Sequence, residues 1–203
     1  MTNISTVIFD LGNVLIDWNP RHLYRKIFAD VAEMERFLAE VCHPEWNERQ
    51  DAGRSWAEAI AEAIARHPTY EAQIRAYRDR WDEMLGGPIE DTVALLRDLR
   101  DCDVRLLALT NWSQDTFPIA LERYEFLRWF EGILVSGGVG LIKPDPAIFR
   151  LLIERFSVDV PRAIFIDDSP RNVQGAREVG LRSIHFTGAA TLRAQLRELG
   201  LPV

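Results

Sequence analysis

Two hydrophobic rhythms divide this chain. Val7, Ile8 and Phe9 form a short unbroken apolar run, the signature of a strand buried on both faces. The run stops at Asp10, with Gly12 two residues on, so a carboxylate sits at a strand's C-terminal edge. In open α/β sheets that edge is where ligands bind. From Asn19 to about Leu85 the rhythm turns helical: Leu23, Ile27, Val31, Met34, Phe37, Leu38 and Val41 recur at helical spacing behind the start signal Asn19-Pro20. His43-Pro44 closes that stretch. Ser55 and Glu58 form a capping box for a helix carrying Ile60 and Ile64, and Thr69 starts another through Ile74, Tyr77 and Trp81 that Gly86-Gly87-Pro88 breaks. These residues predict a helical insertion without a strand. From Ile89 onward helices alternate with short apolar strands, at 104–109, 133–135, 163–166 and 182–186. Such alternation predicts an α/β fold, a doubly wound parallel sheet with an inserted α-helical cap: core at 1–15 and 87–203, cap at 16–86.

Composition narrows the partners. The 203 residues are 47% hydrophobic, enough for a sizeable core, and carry a net charge of −7, which argues against general nucleic-acid or anionic-membrane binding. No apolar run approaches a membrane span, and no basic leader precedes the first strand, so the expected location is cytoplasmic. Cys42 and Cys102 match no metal or redox spacing and are expected as free thiols. Oligomeric state is not written in the chain.

The chemistry gathers at strand ends. The first strand ends at Asp10, the second at Thr110-Asn111 and another at Asp167-Asp168, while Lys143 follows the strand at 133–135. Strand ends at one sheet edge converge, so three carboxylates, a hydroxyl, an amide and an ammonium share a crevice. Clustered carboxylates need a cation, and an all-oxygen set suits Mg²⁺. Of 24 basic Lys and Arg residues only Lys26 and Lys143 are lysines, which makes Lys143 beside Pro144-Asp145 conspicuous. Gly137-Gly138-Val139-Gly140 fits neither a dinucleotide fingerprint nor a P-loop and is expected to be a mobile turn. The set suits phosphoryl transfer from a small phosphorylated molecule to an ionised Asp.

FDLGNVL, LALTN, IKPD and IDDSPRN, in that order, resemble the four motifs of the haloacid dehalogenase-like (HAD) superfamily of hydrolases, with the helical insertion resembling its C1-type cap on a Rossmann-like core. The resemblance implies that Asp10 is the nucleophile, that Thr110, Asn111 and Asn172 bind or support phosphate, and that Lys143 balances charge. It further implies that Asp10, the Gly12 carbonyl and Asp168 hold Mg²⁺, with Asp167 in support. DLGN resembles a subgroup that includes glucose-1-phosphate phosphatases, so a sugar phosphate is the first expected substrate. One position departs from the pattern: phosphatases of this family usually carry a second Asp where Gly12 stands, as general acid and base. Asp17 is the nearest replacement in sequence. Without an acid the enzyme is expected to favour stable leaving anions, a sugar 1-phosphate over a 6-phosphate. Trp18, Trp46 and Trp112 flank loops facing the cleft, and Arg49, within the ERQDAG segment, is placed to meet substrate. Two alternatives stand beside this reading: a 2-haloacid dehalogenase using Asp10 without metal, and a binding relative that has lost turnover with its acid.

Overall fold

The computed structural model describes residues 4–102 and 104–203. Its centre is a five-stranded sheet with β1 (Thr6–Phe9) in the middle, flanked by β4 (Arg105–Thr110) and then β5 (Gly132–Val135) on one side. On the other side lie β6 (Ala163–Asp167) and β7 (Arg182–His185), and every pairing is parallel. The apolar runs are continuous because both sheet faces are covered. Phe9, Ala108, Ile164 and Ile166 belong to a buried cluster that continues into the helical insertion. Ile8, Leu107, Leu109 and Phe165 point the other way, against Ile148, Phe149 and Leu152 of α8 (Pro146–Arg155). Phe9 pairs with Ala108 on one side and Ile166 on the other, so Asp10 emerges level with Leu109 and Asp167 at the centre of one edge. The remaining core helices are α6 (Glu90–Arg100), α7 (Phe117–Arg123), α9 (Pro170–Glu178) and α10 (Ala189–Glu198).

The insertion corrects one expectation. It is not strandless at its ends: β2 (Ile16–Trp18) and β3 (Leu85–Pro88) form an antiparallel ribbon through which the chain leaves and re-enters the core. Gly86 and Gly87 look like helix breakers, yet they are strand residues with a steric reason for being glycine. A Cβ at Gly86 would lie 2.1 Å from Asp17 Oδ2, and Gly87 has φ +128°. Between the strands run α1 (Arg21–Tyr24), α2 (Val31–Glu40), α3 (Pro44–Asp51), α4 (Trp56–Arg66) and α5 (Glu71–Asp79). The predicted caps form: Asn19 Oδ1 accepts from Arg21 N at 3.0 Å and Ser55 Oγ from Glu58 N at 3.3 Å. Tyr24 anchors the insertion, its ring 4.9 Å from Phe37 and 6.1 Å from Tyr77. No helix of the described residues is long and apolar enough to cross a membrane.

Candidate active site

Lys143 organises the sheet edge. Its ammonium is buried and lies 2.8 Å from Asp10 Oδ1 and 2.7 Å from Asp167 Oδ2, and it donates to the Leu109 carbonyl at 3.0 Å. Burial opposes the charge, but Asp10 and Asp167 more than compensate and hold the lysine above its ordinary pKa. Burial likewise pushes the Asp10 carboxyl up to about 7, with Lys143 pulling it down and Asp167 and Asp168 pushing it up. Asp10 Oδ1 also accepts from Leu11 N at 2.7 Å, which fixes the rotamer.

Asp10, Asp167 and Asp168 each place an oxygen within 4.8 Å of the others, an all-oxygen set that could hold a hard divalent cation. Their bonding separates the roles. Both Asp167 oxygens are occupied, by Lys143, by the Ser169 N–H at 2.8 Å and by Asn172 Nδ2 at 3.0 and 3.1 Å. Asp168 is half-buried; burial and Asp167 raise its carboxyl, against the pull of Lys143 and of its own backbone N–H, and among the described residues no other side chain is hydrogen-bonded to it. Asp10 and Asp168 are therefore the carboxylates with capacity for a metal, and Asp167 is the brace. Three carboxylates against one ammonium leave a charge deficit that a divalent cation would make up.

The other expected residues divide. Thr110 is buried at the end of β4. Asn111 clamps the Lys143 backbone at both ends, donating to its carbonyl at 2.9 Å and accepting from its N–H at 2.8 Å. Asn172, expected beside phosphate, directs its amide at Asp167. Gly12, Trp18, Asn111 and Trp112 line a cavity of about 80 Å³ with Trp81, Asn47 and Asp51. A second cavity of about 330 Å³ shares Trp18, Asn47, Asp51 and Asn111 and runs on over Leu38, Cys42 and Tyr77. The structure does not bring the rest there. Trp46 is buried inside the helical insertion, 5.8 Å from Trp56 and 5.1 Å from Tyr77, because its position on α3 faces the helices. Arg49, also on α3, is exposed and lines neither cavity. Asp17 pairs with His22 Nε2 at 2.9 Å on the ribbon and lines neither cavity.

The glycine-rich turn is packed rather than free. A Cβ at Gly137 would come within 2.5 Å of Gln114 N and 2.8 Å of the Trp112 carbonyl. This closeness lets Ser136 Oγ accept from Trp112 N at 2.9 Å and donate to the Asp51 carbonyl at 2.6 Å. Trp56 Nε1 donates to Ser113 Oγ at 3.0 Å. Together these bonds fasten the end of α3 to the loop after β4.

Asp51 is the residue that sequence reading missed. It ends α3 beside the cavity, and Asn47 Nδ2 donates to its Oδ2 at 3.0 Å. Burial, with Glu48 one turn back, pushes its carboxyl up to about 7, while the Ser113 N–H and Lys143 pull it down. Its position within ERQDAG, one turn after Asn47 on the same face of α3, was the available signal.

Comparison with known proteins agrees with this geometry. The chain is 27% identical over 200 residues to the drimenol cyclase drtB of Aspergillus calidoustus, covering 97% of this chain and 36% of that one, so it spans about a third of that relative's length. It is 25% identical over 198 residues to the sesquiterpene phosphatase astK of Aspergillus oryzae, covering 98% and 97% respectively. Among solved structures, a HAD family enzyme of Bacteroides thetaiotaomicron, wild type and in complex with magnesium and inorganic phosphate, superposes with a TM-score of 0.67 at 25% identity over 90% of this chain and 93% of that one. The family model for haloacid dehalogenase-like hydrolases matches residues 4–180, and the chain belongs to that family of hydrolases.

Proposed function

We propose that this protein is a Mg²⁺-dependent phosphatase of a small phosphorylated metabolite, working through an aspartyl-phosphate on Asp10. The observation that carries the reading is the buried Asp10–Lys143–Asp167 array, set at the middle of the strand edge beside a cavity. Lys143 favours the carboxylate of Asp10 against burial and aims it, and Asn111 keeps Lys143 in place. An Asp10 oxygen attacks phosphorus, and the electron pair of the breaking P–O bond leaves with the substrate's oxygen. Water then attacks the aspartyl-phosphate and returns Asp10 to its carboxylate. Mg²⁺, held by Asp10, Asp168 and the Gly12 carbonyl, would neutralise charge on the phosphoryl oxygens. Three carboxylates in 4.8 Å would repel a haloacid's own carboxylate, which argues against dehalogenation.

A sugar phosphate is the first substrate to try, since Trp18, Trp81 and Trp112 offer ring faces and Asn47 and Asn111 offer amides around the smaller cavity. The larger cavity favours a second reading, a phosphate ester with an apolar body, because Leu38, Cys42 and Tyr77 continue the wall. A panel of glucose 1-phosphate, glucose 6-phosphate and a prenyl phosphate, assayed with and without Mg²⁺ beside 2-chloropropionate, separates these readings. We expect Mg²⁺-dependent phosphate release, and Asp10→Asn to fold normally while losing roughly 10³-fold or more of turnover. Chloride release without metal, or a folded Asn variant with near wild-type activity, would sink the mechanism.

A further inference from the structure

We infer that Asp51, delivered by the helical insertion, is the proton donor to the leaving group and the base for the second step. This assignment rests on the phosphatase reading above. Gly12 supplies no acid, Asp167 is taken up by Lys143, Ser169 and Asn172, Asp168 is a carboxylate assigned to the metal, and Asp17 is paired with His22 on the ribbon. Asp51 instead lines the same cavity as Gly12, two residues after Asp10, and Asn111, which clamps Lys143, so it borders the space open to a leaving group beside the nucleophile. Its approach is fixed from both sides, by Asn47 on its own helix and by the Ser136 bond from the core to its carbonyl.

The surroundings suit an acid at neutral pH. Glu48 from the same helix disfavours the carboxylate and Lys143 from the core favours it, while Arg21, Tyr77 and Cys42 share the larger cavity with it. The C-terminal end of α3 adds the negative end of a helix dipole. Burial dominates, and a carboxyl lifted to about 7 keeps a substantial protonated fraction at neutral pH, about half at pH 7.

The chemistry balances on this one group. As the P–O bond breaks, the leaving oxygen takes the bond's electron pair and then the proton of Asp51, which becomes a carboxylate. That carboxylate then removes a proton from the attacking water as its oxygen bonds to phosphorus and the Asp10–phosphorus bond opens. Asp51 ends protonated and Asp10 ionised. The preference for acidic leaving groups expected from Gly12 alone should therefore be muted in the native protein and emerge when Asp51 is removed.

Two near-isosteric probes test it, 4-nitrophenyl phosphate, whose phenoxide leaves unaided, and 4-nitrobenzyl phosphate, whose alkoxide does not. With Mg²⁺ and enzyme in excess, the first turnover is followed for each. In Asp51→Asn we expect release of the benzyl alcohol to slow by roughly 10²-fold or more and release of the phenol by less than ~5-fold. Gly12→Asp added to that variant should restore benzyl release. In the wild type the benzyl rate should decline above pH about 7. Glu48→Gln should move that decline to lower pH, a readout that survives even if Asp51→Asn folds poorly. Equal slowing of both esters, no slowing, or a decline unmoved by Glu48→Gln would overturn the assignment. Failure of the wild type to hydrolyse either ester with Mg²⁺ would overturn the phosphatase reading itself.

Discussion

The two walls of the cavity are built by opposite means. The sheet wall is a set of strand ends whose positions follow from parallel register: Asp10, Thr110 and Asp167 arrive together because β1, β4 and β6 are hydrogen-bonded neighbours. The helical wall is a set of side chains on α3 and the 3₁₀ turn at Trp81–Met84, placed by how helices pack, with a few bonds from Ser136 and Ser113 fastening them down. Charge sits mainly on the first wall, while ring faces and amides are shared, with Trp112 and Asn111 on the first, Trp81 and Asn47 on the second and Trp18 on the ribbon that joins them. The nucleophile and the carboxylates that could hold a metal belong on the wall that backbone pairing determines, and recognition, with the proton chemistry inferred for Asp51, on the wall that can be repacked.

The largest break comes from Lys143. Lys143→Met leaves Asp10 and Asp167 buried without their shared cation, and losing one partner of such a buried pair costs roughly 3–5 kcal/mol. The sign with pH follows from Asp10, whose folded pKa of about 7 lies above the ordinary value of 3.8. A group raised in this way contributes stability below its unfolded pKa and loses it as pH rises through the folded one. The variant's deficit should therefore be greatest above pH 7 and shrink toward pH 4, measured by urea unfolding without Mg²⁺ at several pH values. The same deficit at pH 5 and pH 8 would mean that lysine packing, not its charge, supports this wall.

Asp168→Ala should act on the metal more than on the fold. Its carboxyl is half-buried beside Asp167, so its removal relieves repulsion, while Mg²⁺ affinity should fall by roughly 10- to 100-fold. Titrating Mg²⁺ against activity, and against melting temperature, reads both effects. If the melting temperature of wild type and variant rose equally with Mg²⁺, the ion would be binding elsewhere.

How much of each wall could be read in advance follows from the same contrast. An apolar run that ends in Asp reveals a strand-end carboxylate whatever its neighbours do, and so Asp10, Asp167, Asp168 and Lys143 were legible along with the alternating core. On α3 every side chain is separated from the next by about 100° of rotation, and only packing decides which faces the cleft. Trp46 and Arg49 were therefore chosen from the right segment but do not face the cavities, and Asp51, two residues beyond Arg49, was passed over. Gly86, Gly87 and Gly137 misled for a related reason: glycine marks freedom in sequence, but here Gly86 and Gly137 mark the close approach of another chain segment and Gly87 a fixed positive φ.

The join between the walls can be cut at Ser136. Ser136→Ala removes the acceptor of Trp112 N and the donor to the Asp51 carbonyl, leaving two buried backbone groups short of a partner at a cost of about 1–2 kcal/mol. If the helical wall is aligned chiefly by this contact, KM should rise by a few fold for every ester in the panel. An unchanged KM with the stability loss intact would show that Trp56 and Ser113 alone keep the walls in register.

The smallest effect belongs to the position that prompted the question of the missing acid. Gly12 stands next to the nucleophile's turn, where glycine commonly serves an unusual backbone, yet the left-handed residue of this turn is Asn13, at φ 57°. Gly12 has no positive φ, and a Cβ built there meets nothing within 4 Å. The turn is held by other groups, with Asn13 N donating to the Ile16 carbonyl at 2.7 Å and Leu15 N to the Leu11 carbonyl at 2.9 Å. Gly12→Ala should accordingly change folding stability by less than about 0.5 kcal/mol, as at positions without strain or close contacts. Asn13→Ala, which keeps a Cβ in the left-handed region but loses asparagine's local hydrogen bonding, should cost more, of order 1 kcal/mol. Chemical unfolding of the two variants side by side decides it. The reverse ranking would place the conformational demand at Gly12, and the absence of a carboxylate there would then be a requirement of the backbone. The expected ranking makes it a choice of side chain in open space, on a sheet wall that leaves room for chemistry supplied from the opposite side.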